Sequence, residues 1–153
     1  MKAIVLLYIT LLFPSNNCCA RSGNTPVEQI QSFIKALQDG TDTDKIIENY
    51  LCYSTSGLDS LEAQQAHELL VSTIESIKPE FKSTKIQSLK IIPYLDLPEK
   101  EQNIMIKKDT KGKVYVVKHG DKRMMNVLIG DDGKIISCIT MMKGEVGFFI
   151  SFC

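Results

Sequence analysis

The spacing of apolar residues changes once along this chain, near Pro79, and that change limits the folds available to it. Before Pro79, apolar residues recur every three or four positions, as in the stretch from Val27 to Leu37; after it, they tend to alternate. The first spacing predicts amphipathic helices and the second predicts strands. Helices followed by strands predict an α+β fold, with two to three N-terminal helices packed on a curved antiparallel β-meander.

Local signals predict where the helices begin and end. Thr25–Glu28 and Asp59–Glu62 each have the pattern of a capping box, in which a cap side chain and a Glu three residues later satisfy each other's backbone N–H groups. Asp42 or Thr43 can cap a helix between these two. The last helix is expected to stop near Pro79, because the residue before a proline disfavours helical geometry.

The second half predicts short strands separated by turns rich in Gly and Asp. The predicted strands are 86–95, 104–106, 114–118, 124–129, 135–142 and 148–152. Pro93 suggests an edge or a bulge in the first of them. Both faces of the later strands are apolar, whereas a sheet with one wet face alternates more cleanly. The second face is therefore expected to be covered by the curl of the sheet, to enclose a ligand pocket, or to form a homodimer.

The N-terminus has the order of residues typical of a bacterial export signal. Lys2 precedes the apolar run Ala3–Phe13, which ends at Pro14. The run is too short to cross a bilayer, since a spanning helix needs about 20 apolar residues. A buried core helix is the alternative. We therefore predict a signal peptide over 1–19, a tether over 20–24 and a single α+β domain over 25–153.

Two adjacent cysteines suggest how this signal is processed. We favour lipidation, because Cys18 or Cys19 stands where an exported lipoprotein carries its lipidated cysteine. Two acyl chains would then anchor the protein stably. The expected location is then the membrane, facing the periplasm or the cell exterior. Alternatively, Cys18 and Ala20 form a small-x-small site, and cleavage after Ala20 would release a soluble periplasmic or secreted domain.

The remaining cysteines are Cys52, Cys138 and Cys153. An oxidising compartment permits one disulfide among them. We predict Cys52 with Cys153, because a bond to the last residue would hold the end of the chain. The alternative is that all three are buried free thiols that act as small hydrophobic side chains.

Charge is unevenly distributed although the total is zero. Residues 21–80 carry a net charge of −6 and residues 81–153 a net charge of +5. Solvated helix and strand faces would explain this pattern. A functional alternative is that the strands form a basic surface that attracts anions. Its residues would be Lys107, Lys108, Lys111, Lys113, Lys118, Lys122 and Arg123.

The sequence contains no complete catalytic or metal-binding motif. His67-Glu68 begins like the zinc-protease helix motif, but Val71 stands where the second His is required. Asp39–Asp44 has the oxygens of a calcium loop, but it lacks a glycine at the spacing that such a loop requires and its final Glu, so caps and turns explain it better. His119 is read as a hairpin-turn residue. We predict no catalytic residue, metal, cofactor or nucleic-acid partner.

An N-terminal helical segment followed by a long antiparallel sheet resembles the cystatin-like and nuclear-transport-factor-like α+β cones. Such folds recur in small exported lipoproteins of unknown function from the Bacteroidetes. The resemblance covers roughly residues 25–152 and rests on the order of elements. We expect a non-enzymatic binding protein of the cell envelope, with an unidentified envelope protein or ligand as partner. Alternatives are a ligand-binding or hydrolytic cone protein with a pocket between helices and sheet, and, from the fold alone, a protease inhibitor.

Overall fold

The structure is a computed structural model that describes residues 25–106 and 110–151. Within these ranges, helices precede strands in an α+β fold, as predicted. The α-helices are α1 Pro26–Gln38, α2 Thr43–Tyr50 and α3 Ser60–Lys82. The strands are β1 Leu89–Pro93, β2 Lys113–His119, β3 Lys122–Ile129, β4 Ile135–Ser137, β5 Ile139–Lys143 and β6 Val146–Ile150.

The helix starts follow from local hydrogen bonds. Both predicted capping boxes, at Thr25 and at Asp59, form with the Glu three residues on. Asp42 caps α2 by accepting the Lys45 backbone N–H. Thr43 is therefore the first residue of α2, where it is buried and its hydroxyl contacts the Glu75 carboxylate of α3.

Helix α3 continues through Pro79 to Lys82, so the predicted stop near Pro79 is wrong. A proline inside a helix removes one backbone hydrogen bond and costs about 3 kcal/mol. The extra turn buries Phe81 completely in the core, which contributes about 1.5–3 kcal/mol. The Gln38 side-chain amide also donates to the Phe81 carbonyl oxygen at 3.1 Å, so the helix end has a partner on α1.

The strands form two sheets, one of four strands and one of two. The larger is antiparallel in the order β1-β2-β3-β4, which is the predicted meander. The predicted strand 135–142 is divided at Cys138: β4 pairs with β3, whereas β5 pairs with β6. At this break the Ser137 hydroxyl accepts the Ile139 N–H and contacts the Ile150 carbonyl oxygen.

Two predicted strands are shorter than expected. Residues 86–88 form a 3-10 turn before β1, and residues 94–96 form another after it. Residues 104–106 make a single parallel bridge, between Ile104 and Gly147 of β6. We call residues 94–106 the covering segment, because they lie over one face of the four-stranded sheet.

Apolar side chains fill both faces of that sheet. The larger cluster lies between helices and sheet, and includes Phe33, Ile74, Val117 and Ile135. The smaller lies on the other face, under the covering segment, and is formed by Tyr94, Leu97, Ile104, Val114, Val116 and Leu128, with Ile92, Ile136 and Phe149 against them. All these cluster residues fall between positions 27 and 149, so a chain that begins at Arg21 retains both clusters.

The covering segment explains why the second face is apolar. Tyr94 is buried beneath it, and its hydroxyl accepts the Ile104 N–H at 2.6 Å and donates to the Ile104 carbonyl oxygen at 3.3 Å. This arrangement is neither a simple curl of the sheet nor a ligand pocket. A homodimer, which stays a prediction, would have to use a different apolar face.

Candidate interaction surface

Two of the predicted anion-binding cations hold the covering segment. The Lys118 ammonium lies 2.9 Å from Glu101 Oε2, and its side chain is only 13% exposed. The Arg123 guanidinium donates from Nη1 to Asn103 Oδ1 at 2.8 Å and from Nη2 to the Glu101 carbonyl oxygen at 2.6 Å. Both side chains reach from the sheet to the same turn, so their donors serve the fold.

The other predicted cations are placed differently. Lys122 Nζ is 3.7 Å from Glu80 Oε2, with both side chains largely exposed, so this ion pair is weak. Lys111 and Lys113 lie before and at the start of β2. The remaining two, Lys107 and Lys108, lie outside the described residues. An anion at Lys118 or Arg123 would therefore have to displace acceptors of the chain itself.

We expect Glu101→Gln to remove part of the acid sensitivity of folding. The hydrogen bond from Lys118 lowers the pKa of the Glu101 carboxyl below its ordinary value of 4.5. The unfolded chain then binds this proton more readily than the folded chain. The pair therefore stabilises the fold above pH 4.5, and that stabilisation is lost as the pH falls through the lowered folded-state pKa.

Urea unfolding of the wild type and Glu101→Gln between about pH 3 and pH 7 measures this effect. The variant should be less stable at neutral pH, and the difference in unfolding free energy should shrink in acid. Glu99→Gln, on the same 3-10 turn, is the matched control. A difference that does not change with pH would contradict the role given to the ion pair.

An exposed apolar face lies beside the covering segment. Strand β6 pairs with β5 on one edge and meets residues 103–105 on the other. On that second edge, the Met105 N–H donates to the Gly147 carbonyl oxygen at 2.8 Å, and the Gly147 N–H donates to the Asn103 carbonyl oxygen at 2.7 Å. Residues 103–105, β6 and β5 thus form a three-stranded ribbon. Ile104 and Phe149 point inward from it to the smaller cluster.

The register places four apolar side chains on the outward side of this ribbon. Met141 is opposite Phe148, Val146 is two residues from Phe148, and Met105 points away from the buried Ile104. Met105, Met141 and Val146 are 54%, 59% and 36% exposed, and Phe148 is half-buried. We call these four residues the ribbon face. Lys143, opposite Val146, adds a cation to the same side.

The cysteines show one oxidised and one reduced site. Cys52 is disulfide-bonded, and Cys138 is a buried free thiol. The predicted partner of Cys52, Cys153, and the predicted lipidation sites, Cys18 and Cys19, lie outside the described residues. Burial raises the pKa of the Cys138 thiol to about 12, so it is protonated near neutral pH and unsuited to act as a nucleophile.

A small cavity lies between Cys52 and Cys138. Leu51, Leu70 and Ile150 also line it, and its volume is about 10 Å³, which is room for about one water molecule. A metabolite needs a pocket of a few hundred Å³. This cavity therefore gives no support to a small-molecule site between helices and sheet.

Each of the two histidines has a place in the fold that needs no catalytic role. His67 Nε2 is 3.2 Å from Asp44 Oδ1, and its ring lies 5.9 Å from the Tyr53 ring. His119 ends β2 and is opposite Lys122 at the tight turn to β3. In residues 25–106 and 110–151, no group of three or more His, Cys, Asp or Glu side chains is arranged to hold a metal ion.

Sequence reasoning missed the ribbon face. Met105 and Phe148 are far apart in the chain, and the predicted pattern placed them in separate strands of one meander. The sequence signal that could have indicated it is Gly147, because a glycine inside a predicted strand suggests that another part of the chain approaches closely there. A Cβ there would come within 3.0 Å of the Thr140 side chain and close to the Met142 sulfur and to Ile104, so a larger residue would require these side chains to shift.

Comparisons with protein-family models, with curated proteins and with solved structures give no match to this chain. Among the described helices, none combines the length and the apolar character that crossing a membrane requires.

Proposed function

We propose that this chain is exported and acts as a lipid-anchored, non-enzymatic binding protein of the cell envelope. The N-terminal sequence, with Lys2, the apolar run Ala3–Phe13 and the cysteine pair, supports export and anchoring. The observation that carries the binding role is the ribbon face, because a cluster of exposed apolar side chains on a folded surface is typical of an interaction site.

Metabolic labelling with palmitate tests the anchor. The wild type should take up label, and one of the two variants Cys18→Ser and Cys19→Ser should lose it while the other keeps it. Each variant is thus the control for the other. Label that persists in the double variant, or a wild type that takes up none, would contradict the anchor.

Photo-crosslinking in intact cells tests the binding role. A photoreactive residue at Met141 should give adducts with envelope components, because this position is at the centre of the proposed contact. The matched control is Leu61, which is 61% exposed on α3. Equal crosslinking at the two positions would mean that the ribbon face has no special role.

A further inference from the structure

We propose that the ribbon face rests on the anionic surface of a lipid bilayer. This inference rests on the proposed lipid anchor and adds to it a second, non-covalent contact. Three exposed apolar side chains and a lysine share one side of the ribbon, which is the composition of a shallow membrane-contacting surface. Met105, Met141 and Val146 would enter the acyl boundary, and Lys143 would stay among the head groups.

The short connection to the predicted anchor supports a bilayer as the occupant. Lipidation at Cys18 or Cys19 leaves at most seven residues before α1 begins at Pro26. Even fully extended, seven residues span only about 25 Å. A domain of this size has a radius of gyration of about 14 Å, so the tether holds it against the membrane, and one of its faces must be turned to the lipid.

The distribution of charge along the chain favours the half that supplies the ribbon. The helical half, residues 21–80, has a net charge of −6, and the half that supplies the ribbon, residues 81–153, has a net charge of +5. An anionic surface attracts the basic half of the chain more than the acidic half. The ribbon face and Lys143 belong to the basic half.

The same charges disfavour a second copy of the chain as the occupant. A two-fold dimer through the ribbon face would place the same patch of both copies in contact. Lys143 is the cross-strand partner of Val146, so such a dimer would bring the basic halves of the two copies together. Juxtaposed like charges oppose association.

Vesicle sedimentation with the unlipidated chain from Arg21 to Cys153 tests the proposal. We expect binding to vesicles of equal parts phosphatidylglycerol and phosphatidylcholine, little binding to phosphatidylcholine alone, and weaker binding in high salt. The double variant Met105→Ser, Met141→Ser should lower the partition constant by about tenfold or more, because it removes apolar area that would be buried. Leu61→Ser, which changes an equally exposed side chain on α3, should bind as the wild type does.

Circular dichroism melting of each variant establishes that the fold is retained. Binding that is unchanged in the double variant would overturn the proposal, because lysines elsewhere would then account for it. So would self-association in analytical ultracentrifugation that the double variant abolishes, since the face would then bind a second copy. Absence of vesicle binding alongside palmitate labelling would overturn this inference while leaving the lipid anchor intact.

Discussion

Replacing Gly112 by alanine should lower the free energy of unfolding by about 3 kcal/mol. Gly112 has a φ of +124°, and an added Cβ would lie less than 3.0 Å from the Ile129 carbonyl oxygen. Real Cβ atoms essentially never come so close to a backbone atom. Ile129 is buried and opposite Lys113 in the β2–β3 ladder, so it cannot move aside without disturbing the sheet.

Gly57→Ala is the matched control for this substitution. Gly57 also has a positive φ, of +86°, but no atom lies within 4 Å of an added Cβ. It should cost only the backbone strain, about 1–2 kcal/mol. Urea unfolding followed by far-ultraviolet circular dichroism measures both variants, since the chain has no tryptophan. Equal losses would show that the contact with Ile129 is unimportant.

Removing the disulfide of Cys52 should have a comparable or larger effect. Cys52 is bonded, and its backbone N–H donates to the Ile135 carbonyl oxygen at 2.8 Å, at the junction of α2 with the sheet. If Cys153 is the partner, as predicted, the bond closes a loop of about 100 residues, for which the lost chain entropy corresponds to about 4.7 kcal/mol. Cys52→Ala and Cys153→Ala should each cost about 2–5 kcal/mol.

The double variant separates this pairing from the alternatives. If Cys52 and Cys153 are bonded to each other, changing both should cost little more than changing one, because the same bond is lost. Cys138→Ala should keep the disulfide and stay sensitive to reductant. A Cys153→Ala protein in which mass spectrometry still finds Cys52 oxidised would contradict the predicted pair.

The sequence predicts the helices well because their signals are local. Each capping box joins residues three apart, and each apolar stripe repeats within one helix. The error at Pro79 has a tertiary cause: Phe81 finds a place in the core and Gln38 binds the helix end, and neither contact is visible in a window around the proline.

The strands were harder to place because their partners are distant in the chain. The apolar run 135–142 reads as one strand, yet its two ends pair with different neighbours, β3 and β6. The covering segment has no regular period at all. Its position depends on Tyr94, whose hydroxyl meets the Ile104 backbone, and on Arg123, which reaches Glu101 and Asn103 from the sheet.

The candidate interaction surface could not be placed from the sequence for the same reason. Lys118 and Arg123 were predicted to attract anions, since nothing in the sequence indicates that Glu101 and Asn103 lie beside them. Pattern analysis found the apolar excess of the strands but could not assign it to a face. That assignment needs the pairing of β6 with residues on both of its edges.

The bridge between Leu51 and Ile135 joins an early part of the chain to a late one, and this order affects how the chain folds during its synthesis. The N-terminal helices can form as they leave the ribosome, but β2, β3 and β4, which cover much of their apolar sides, all begin after residue 112. Until those strands are made, the apolar sides of the helices are only partly covered. We therefore expect the nascent chain to remain uncompacted and to need chaperone protection until translation nears its end. Such a delay would be consistent with the proposed export of the chain in an unfolded form.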